Sequence, residues 1–189
     1  MDDHRQAGFT FIELLVVMAL IGIMSIFIAS VYRGTIVLYR DQNLEIQVIE
    51  KANLLNKFLI DNIRRAEGIE ATLSDGGDTF VSGADELVLR TPALDGNGDP
   101  IVGVYDYYIF YKDPISTTDF RWRLVPDASS SRTGFDHLAA EEITSLSIDY
   151  DTVIPAEASL VTVTFTLQQE NPFGPNSITR STSINMRNQ

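Results

Sequence analysis

Glu13 is followed by residues 14–31, LLVVMALIGIMSIFIASV, eighteen positions with no charge and only two serines. A carboxylate carried to the centre of a bilayer costs about 2.5–3.5 kcal/mol by insertion scales, which marks it as a functional residue by default. Its spacing suggests one partner. Were the chain cut between Gly8 and Phe9, Phe9 would expose an α-amine of pKa about 8, cationic at neutral pH. On a helix Glu13 would lie about 6 Å along the axis from that amine, and the amine of the same or a neighbouring chain could neutralise it. The competing reading is a carboxylate that reaches the membrane surface and is favoured there by the helix amino-terminal dipole. The residues alone leave both open.

Other groups offer less chemistry. Asp95, Asn97 and Asp99 alternate through a glycine-rich loop and present three oxygen ligands, the way calcium loops begin; a full site needs six to eight oxygens, and no glutamate stands at the EF-hand distance. Such loops are also ordinary hairpin tips, and Asp75-Gly76-Gly77-Asp78 shares the ambiguity. The two histidines are His4 and His137, so a nucleophilic triad would have to pair His137 with a serine such as those at Ser129-Ser130-Ser131, which lack a nucleophile elbow. Adjacent acids Glu141-Glu142 read as a solvated face rather than a glycosidase pair. Tyr105, Tyr107, Tyr108, Tyr111 and Trp122 could make a stacking surface for sugars or bases, but alternation along a strand should divide them between core and exposed face. The absence of cysteine excludes disulfides, thiol nucleophiles and thiolate zinc sites. The expectation is a protein that is not an enzyme and needs no cofactor, with calcium at Asp95, Asn97 and Asp99 as the single metal alternative.

The elements that must position these groups follow from hydropathy and charge. Eighteen apolar residues span about 27 Å as a helix, close to the hydrocarbon thickness of a bilayer. Beyond Tyr32 the pattern becomes amphipathic, with Leu44, Val48, Ala52, Leu55, Leu59 and Ile63 on one stripe and no proline before Pro92. Arg64 and Arg65 suit a last turn and Gly68 a left-handed stop, so one helix of roughly 80 Å is predicted over residues 11–66. Ile46, Leu54, Phe58 and Ile60 broaden the apolar surface beyond a coiled-coil seam, which favours packing against a head domain.

Residues 69–189 hold all seven prolines, with short alternating apolar runs between turn signals. Strands are predicted over residues 69–73, 86–90, 102–111, 120–125, 143–150, 160–167 and 178–186, with a hairpin around Lys112-Asp113-Pro114 and a short helix over 135–142. The class is α+β, an antiparallel sheet head against the helix stripe. Residues 1–66 carry seven basic and seven acidic side chains, so the whole net charge of -12 belongs to the later segment. That charge argues against nucleic acid as a partner, leaving Arg121, Arg123 and Arg132 as a possible local basic cluster.

Gly8-Phe9-Thr10-Phe11-Ile12-Glu13-Leu14-Leu15-Val16-Val17 resembles the processing and methylation motif of type IV prepilins and type II secretion pseudopilins at every characteristic position. The resemblance implies a leader at residues 1–8 removed after Gly8 by prepilin peptidase, methylation of the Phe9 amine, and pairing of Glu13 with the amino terminus of an adjacent subunit. It divides the remaining chain into a transmembrane and fibre-core helix at 9–31, an amphipathic continuation at 32–66 and a β-rich head at 67–189. The leader departs from the family pattern in carrying one Arg against two Asp, and Arg33 and Arg40 follow the apolar run, against the positive-inside rule. The helix also lacks the kinking proline of many major pilins.

Leu87-Val88-Leu89, Asp95-Gly96-Asn97-Gly98-Asp99, Tyr108-Ile109-Phe110-Tyr111, Trp122-Arg123-Leu124, Leu146-Ser147-Ile148-Asp149-Tyr150 and Ile184-Asn185-Met186-Arg187-Asn188 occur in an order similar to W-type minor pilins and J-type minor pseudopilins. By that resemblance the protein would be a low-copy pilus subunit that helps initiate or cap assembly, or a J-type pseudopilin. Its partners would be other minor pilins or pseudopilins, the major pilin, the inner-membrane assembly platform and, before assembly, membrane lipid. The location implied is a single pass through the bacterial inner membrane with a periplasmic head, then the pilus or pseudopilus and the cell surface. A membrane-tethered binding domain is the alternative from another class.

Overall fold

The computed structural model describes residues 10–171 and 174–186. Helix α1 runs from Phe11 to Arg65. The strands are β1 (Gly68–Ile69), β2 (Thr72–Asp75), β3 (Asp78–Val81), β4 (Glu86–Leu94), β5 (Pro100–Lys112), β6 (Phe120–Val125), β7 (Phe135–Ala140), β8 (Ile143–Tyr150), β9 (Leu160–Gln169) and β10 (Asn176–Asn185). The chain divides into two compact units, Met1–Asn43 and Leu44–Gln189.

In the first unit the described chain is helical from Phe11 onward, and every side chain over residues 11–40 is exposed. Leucine, isoleucine and methionine sustain the helix, and the glycines Gly22 and Gly34 each cost about 1 kcal/mol of propensity without breaking it. The hydroxyls of Ser25 and Thr35 donate back to the carbonyls of Ile21 and Val31 at 2.8 and 3.0 Å. Those polar atoms are satisfied within the helix, as a bilayer would require.

The second unit is organised by the amphipathic stripe. Val48, Ala52, Leu55, Leu59 and Ile63 are buried, spaced three or four residues apart on one helical face. They share one core with Leu87, Leu89, Phe110 and Phe120 of a five-stranded antiparallel sheet, ordered β1-β4-β5-β6-β7, and with Ile148, Val161, Val163, Phe165, Leu167 and Ile184 of a three-stranded sheet, ordered β10-β9-β8. Strict alternation makes this possible: along β9 the buried residues are Val161, Val163, Phe165 and Leu167, while the intervening threonines face away. The α+β class and the antiparallel head are therefore as expected.

Several local expectations fail for identifiable reasons. Residues 135–142, rich in helix formers, instead supply strand β7. Its partner is the edge of β6, where Trp122 packs on Phe135 with ring centroids 4.4 Å apart, so tertiary pairing overrides local propensity. Glu142 then turns the chain at φ 66° into β8. Gly68 is not a left-handed stop. It opens β1, where a Cβ would lie 3.2 Å from the end of the Arg90 side chain. The strand expected over 69–73 is split between β1 and β2, and β2 joins β3 in a separate hairpin across Gly76-Gly77.

Of the residues expected to broaden the stripe, Phe58 and Ile60 pack on the core, whereas Ile46 and Leu54 are exposed. Ile63→Ala, at a fully buried position, is expected to lower the unfolding free energy by about 2–5 kcal/mol. Leu54→Ala, 70% exposed, should change it by less than about 0.5 kcal/mol. Denaturant unfolding followed by tryptophan fluorescence checks both, through the single Trp122 packed against Phe58.

Candidate functional site

Gly8 and Phe9, the expected processing residues, lie outside the described residues. Glu13 is described, and its carboxylate closes the first turn of α1. Oε2 accepts from the Thr10 backbone N–H at 2.9 Å and from the Thr10 hydroxyl at 3.0 Å, while the Glu13 N–H points to Thr10 Oγ1 at 3.4 Å. This is a reciprocal capping box, and its signal was present in the sequence as Thr10-Phe11-Ile12-Glu13. It supplies local donors for a carboxylate at the mouth of an apolar helix. Among the described residues, nothing reaches Oε1. The helix is long and apolar enough to cross a membrane.

The candidate calcium loop is a hairpin tip between β4 and β5. Asp95 Oδ1 accepts the N–H groups of Asn97 and Asp99 at 2.8 and 2.9 Å, and these bonds hold its carboxyl below the usual aspartate range. Gly98 takes φ +88°, which its lack of a Cβ allows. Asp95 thus acts as a turn former. Among the described residues, no group of three or more His, Asp or Glu side chains is arranged to hold a metal ion.

The residues weighed for catalysis make contacts of their own. Ser130 Oγ donates to Asp106 Oδ2 at 2.8 Å, His137 is exposed on β7 with its ring stacked on Phe135, and Glu142 pairs with Lys51 at 2.9 Å. The aromatic residues divide by strand parity, but between two packed faces rather than between core and exposed face, because β2–β3 covers the second one. Tyr108 and Trp122 stack at 5.8 Å on the face that meets α1, whereas Tyr111 on the opposite face packs against Phe80.

The arginines that suggested a basic cluster are matched by carboxylates. Arg121 contacts Asp136 at 3.0 Å and Asp113 at 3.5 Å. Arg123 contacts Asp136 at 3.0 Å and both Asp75 and Asp78 at 3.3 Å. Burial raises the Asp136 pKa, but donors from Tyr111, Arg123 and Arg121 outweigh it and keep the carboxyl below its ordinary value. Burial, followed by the bond to Asp136, pushes the Tyr111 phenol up. Arg132 reaches Asp106 at 2.8 Å, and that aspartate is wholly buried, with further bonds from Ser130 Oγ and the Asp127 N–H. These arginines fasten loops and strands inside an acidic head and leave no free basic patch of their own.

Because Asp106 has no exposure to solvent, Arg132→Ala would strand a buried charge and is expected to cost about 3–5 kcal/mol of stability. Arg132→Ala combined with Asp106→Asn should recover much of that loss, measurable by thermal unfolding.

Comparison with known families places one segment. Residues 3–29 match the family described as Prokaryotic N-terminal methylation motif, which takes in Gly8, Phe9, Glu13 and most of the apolar run. No curated protein matches the chain. The match gives this chain an amino terminus of the type IV pilin and pseudopilin kind.

Proposed function

We propose that the protein is a minor pilin, a structural subunit that is processed at its amino terminus and helps initiate or cap a type IV pilus. Prepilin peptidase would remove residues 1–8 after Gly8 and methylate the Phe9 amine. The apolar part of α1 would hold the precursor in the inner membrane with residues 67–189 in the periplasm. Assembly would then move the apolar helix from lipid into the fibre, among the helices of the major pilin and other minor pilins on the inner-membrane platform.

The observation that carries this reading is Glu13, a single carboxylate in the first turn of an apolar helix and inside the matched methylation motif. Thr10 holds Oε2 and leaves Oε1 clear of the described residues, so the acid can be capped within its own chain and still accept a neighbour's Phe9 amine. A charge pair in an apolar fibre core offsets the cost of desolvating the acid and fixes the register between subunits. The order of segments in the head resembles W-type minor pilins and J-type minor pseudopilins alike. The same amino terminus also suits a J-type pseudopilin, in which case loss of the gene would abolish protein secretion and leave pili intact.

Glu13→Ala is expected to leave cleavage after Gly8 unchanged. It should lower the protein recovered in sheared fibres at least about tenfold, the factor that roughly 1.4 kcal/mol of lost pairing implies. Immunoblots of membrane and fibre fractions measure both, and wild-type incorporation of the variant would refute the assembly role.

A further inference from the structure

Hairpin β2–β3 pairs with neither larger sheet. Its outward face carries Thr72, Ser74, Thr79 and Val81, all exposed. Its inward face is half apolar and half ionic: Leu73 lies opposite Phe80 near the base, and Asp75 lies opposite Asp78 at the tip. Phe80 is buried with Val88, Ile109 and Tyr111, on the side of the five-stranded sheet away from α1. The base of the hairpin is fixed by hydrogen bonds. Ser82 N–H donates to the Ala71 carbonyl, Ser82 Oγ to the Glu70 carbonyl, and Val81 N–H to Glu86 Oε2.

The tip is held differently. Two carboxylates directly opposite one another destabilise a strand pair, and Asp75 and Asp78 occupy that position across Gly76-Gly77. Arg123 from β6 resolves the conflict. Its Nη1 lies 3.3 Å from Oδ2 of each aspartate, while Nε and Nη2 are bound by Asp136. The guanidinium also lies over the Phe80 ring, 5.1 Å from its centroid. The side chains of Asp75 and Asp78 are 37% and 63% exposed, so salt can screen their contacts with Arg123. Glu86, Lys112, Asp113, Arg121 and Asp136 are the other charged groups around the recess between this hairpin and the β5–β6 loop.

We propose that β2–β3 is a hinged strap latched by Arg123. The guanidinium neutralises the opposed Asp75 and Asp78 and ties them to β6; when that contact weakens, the strap lifts about its hydrogen-bonded base and uncovers Val88, Ile109 and Tyr111. The opening is local, because the core beneath α1 lies on the other face of the sheet.

Hydrogen exchange followed by mass spectrometry on the full chain in detergent micelles tests the strap. Arg123→Gln should speed exchange of residues 72–81 roughly three- to tenfold while leaving β9 unchanged. Adding Asp78→Asn to Arg123→Gln should restore most of the protection by removing the opposed charge, a rescue that a general loosening of β6 would not show. In the wild-type chain, raising NaCl from about 0.05 M to about 1 M, where screening falls to a range of ~3 Å, should speed the same segment alone. Unchanged exchange in Arg123→Gln, no rescue by Asp78→Asn, or salt-independent exchange in the wild type would each overturn the proposal. Should Arg123→Gln fail to fold, the wild-type salt series decides.

Discussion

Burial of the stripe Val48, Ala52, Leu55, Leu59 and Ile63 is the interaction on which residues 44–189 depend. Val48, Leu55, Leu59 and Ile63 each contribute about 1.5–3 kcal/mol on leaving water, and the stripe shares one core with both larger sheets. The two sheets have no shared ladder, so α1 is the element around which one core can form from strands that do not pair with each other. The same helix obeys a different rule toward its amino terminus. There it is apolar on every side over residues 14–31 and exposed along residues 11–40, a pattern suited to lipid or to other helices. One continuous element thus meets two kinds of surroundings, with its change of pattern written into the sequence beyond Tyr32.

Charge follows the same division. The acidic excess belongs to the residues after 66, yet three arginines within that segment are spent internally: Arg121 and Arg123 on Asp136, Asp113, Asp75 and Asp78, and Arg132 on the buried Asp106. These three cations act as fasteners, and the head as a whole keeps an excess of carboxylates. An acidic surface disfavours contact with other acidic bodies, which directs attention to the uncharged run at residues 14–31.

Legibility from sequence varied with how local the determining physics is. The apolar run, the stripe from Val48 to Ile63 and the alternation in β9 depend on periodicity within one segment, and all could be read directly. The capping box at Thr10 and Glu13 was equally local and needed only attention to the Ser/Thr-x-x-Glu pattern. By contrast, β7 reads as a helix until Trp122 is brought beside it, and Gly68 reads as a helix stop until Arg90 lies across it. Likewise Asp95 and Asp75 look like metal ligands in isolation; one is satisfied by the amides of its own turn and the other by an arginine 48 positions away. Long-range partners cannot be inferred from spacing, and at β7 and Gly68 they are what the structure changed.

At the amino terminus, one acid, one capping hydroxyl and one long apolar helix combine with a methylation motif. The central claim is that this segment belongs to a precursor whose first eight residues are removed to create the cation that Glu13 awaits. Mass spectrometry of the amino-terminal peptide, taken from the protein expressed in its own host and recovered from membranes, tests it most directly. The account predicts a peptide beginning at Phe9 and carrying one methyl group on its α-amine; a mature chain that still begins before Gly8 would contradict it.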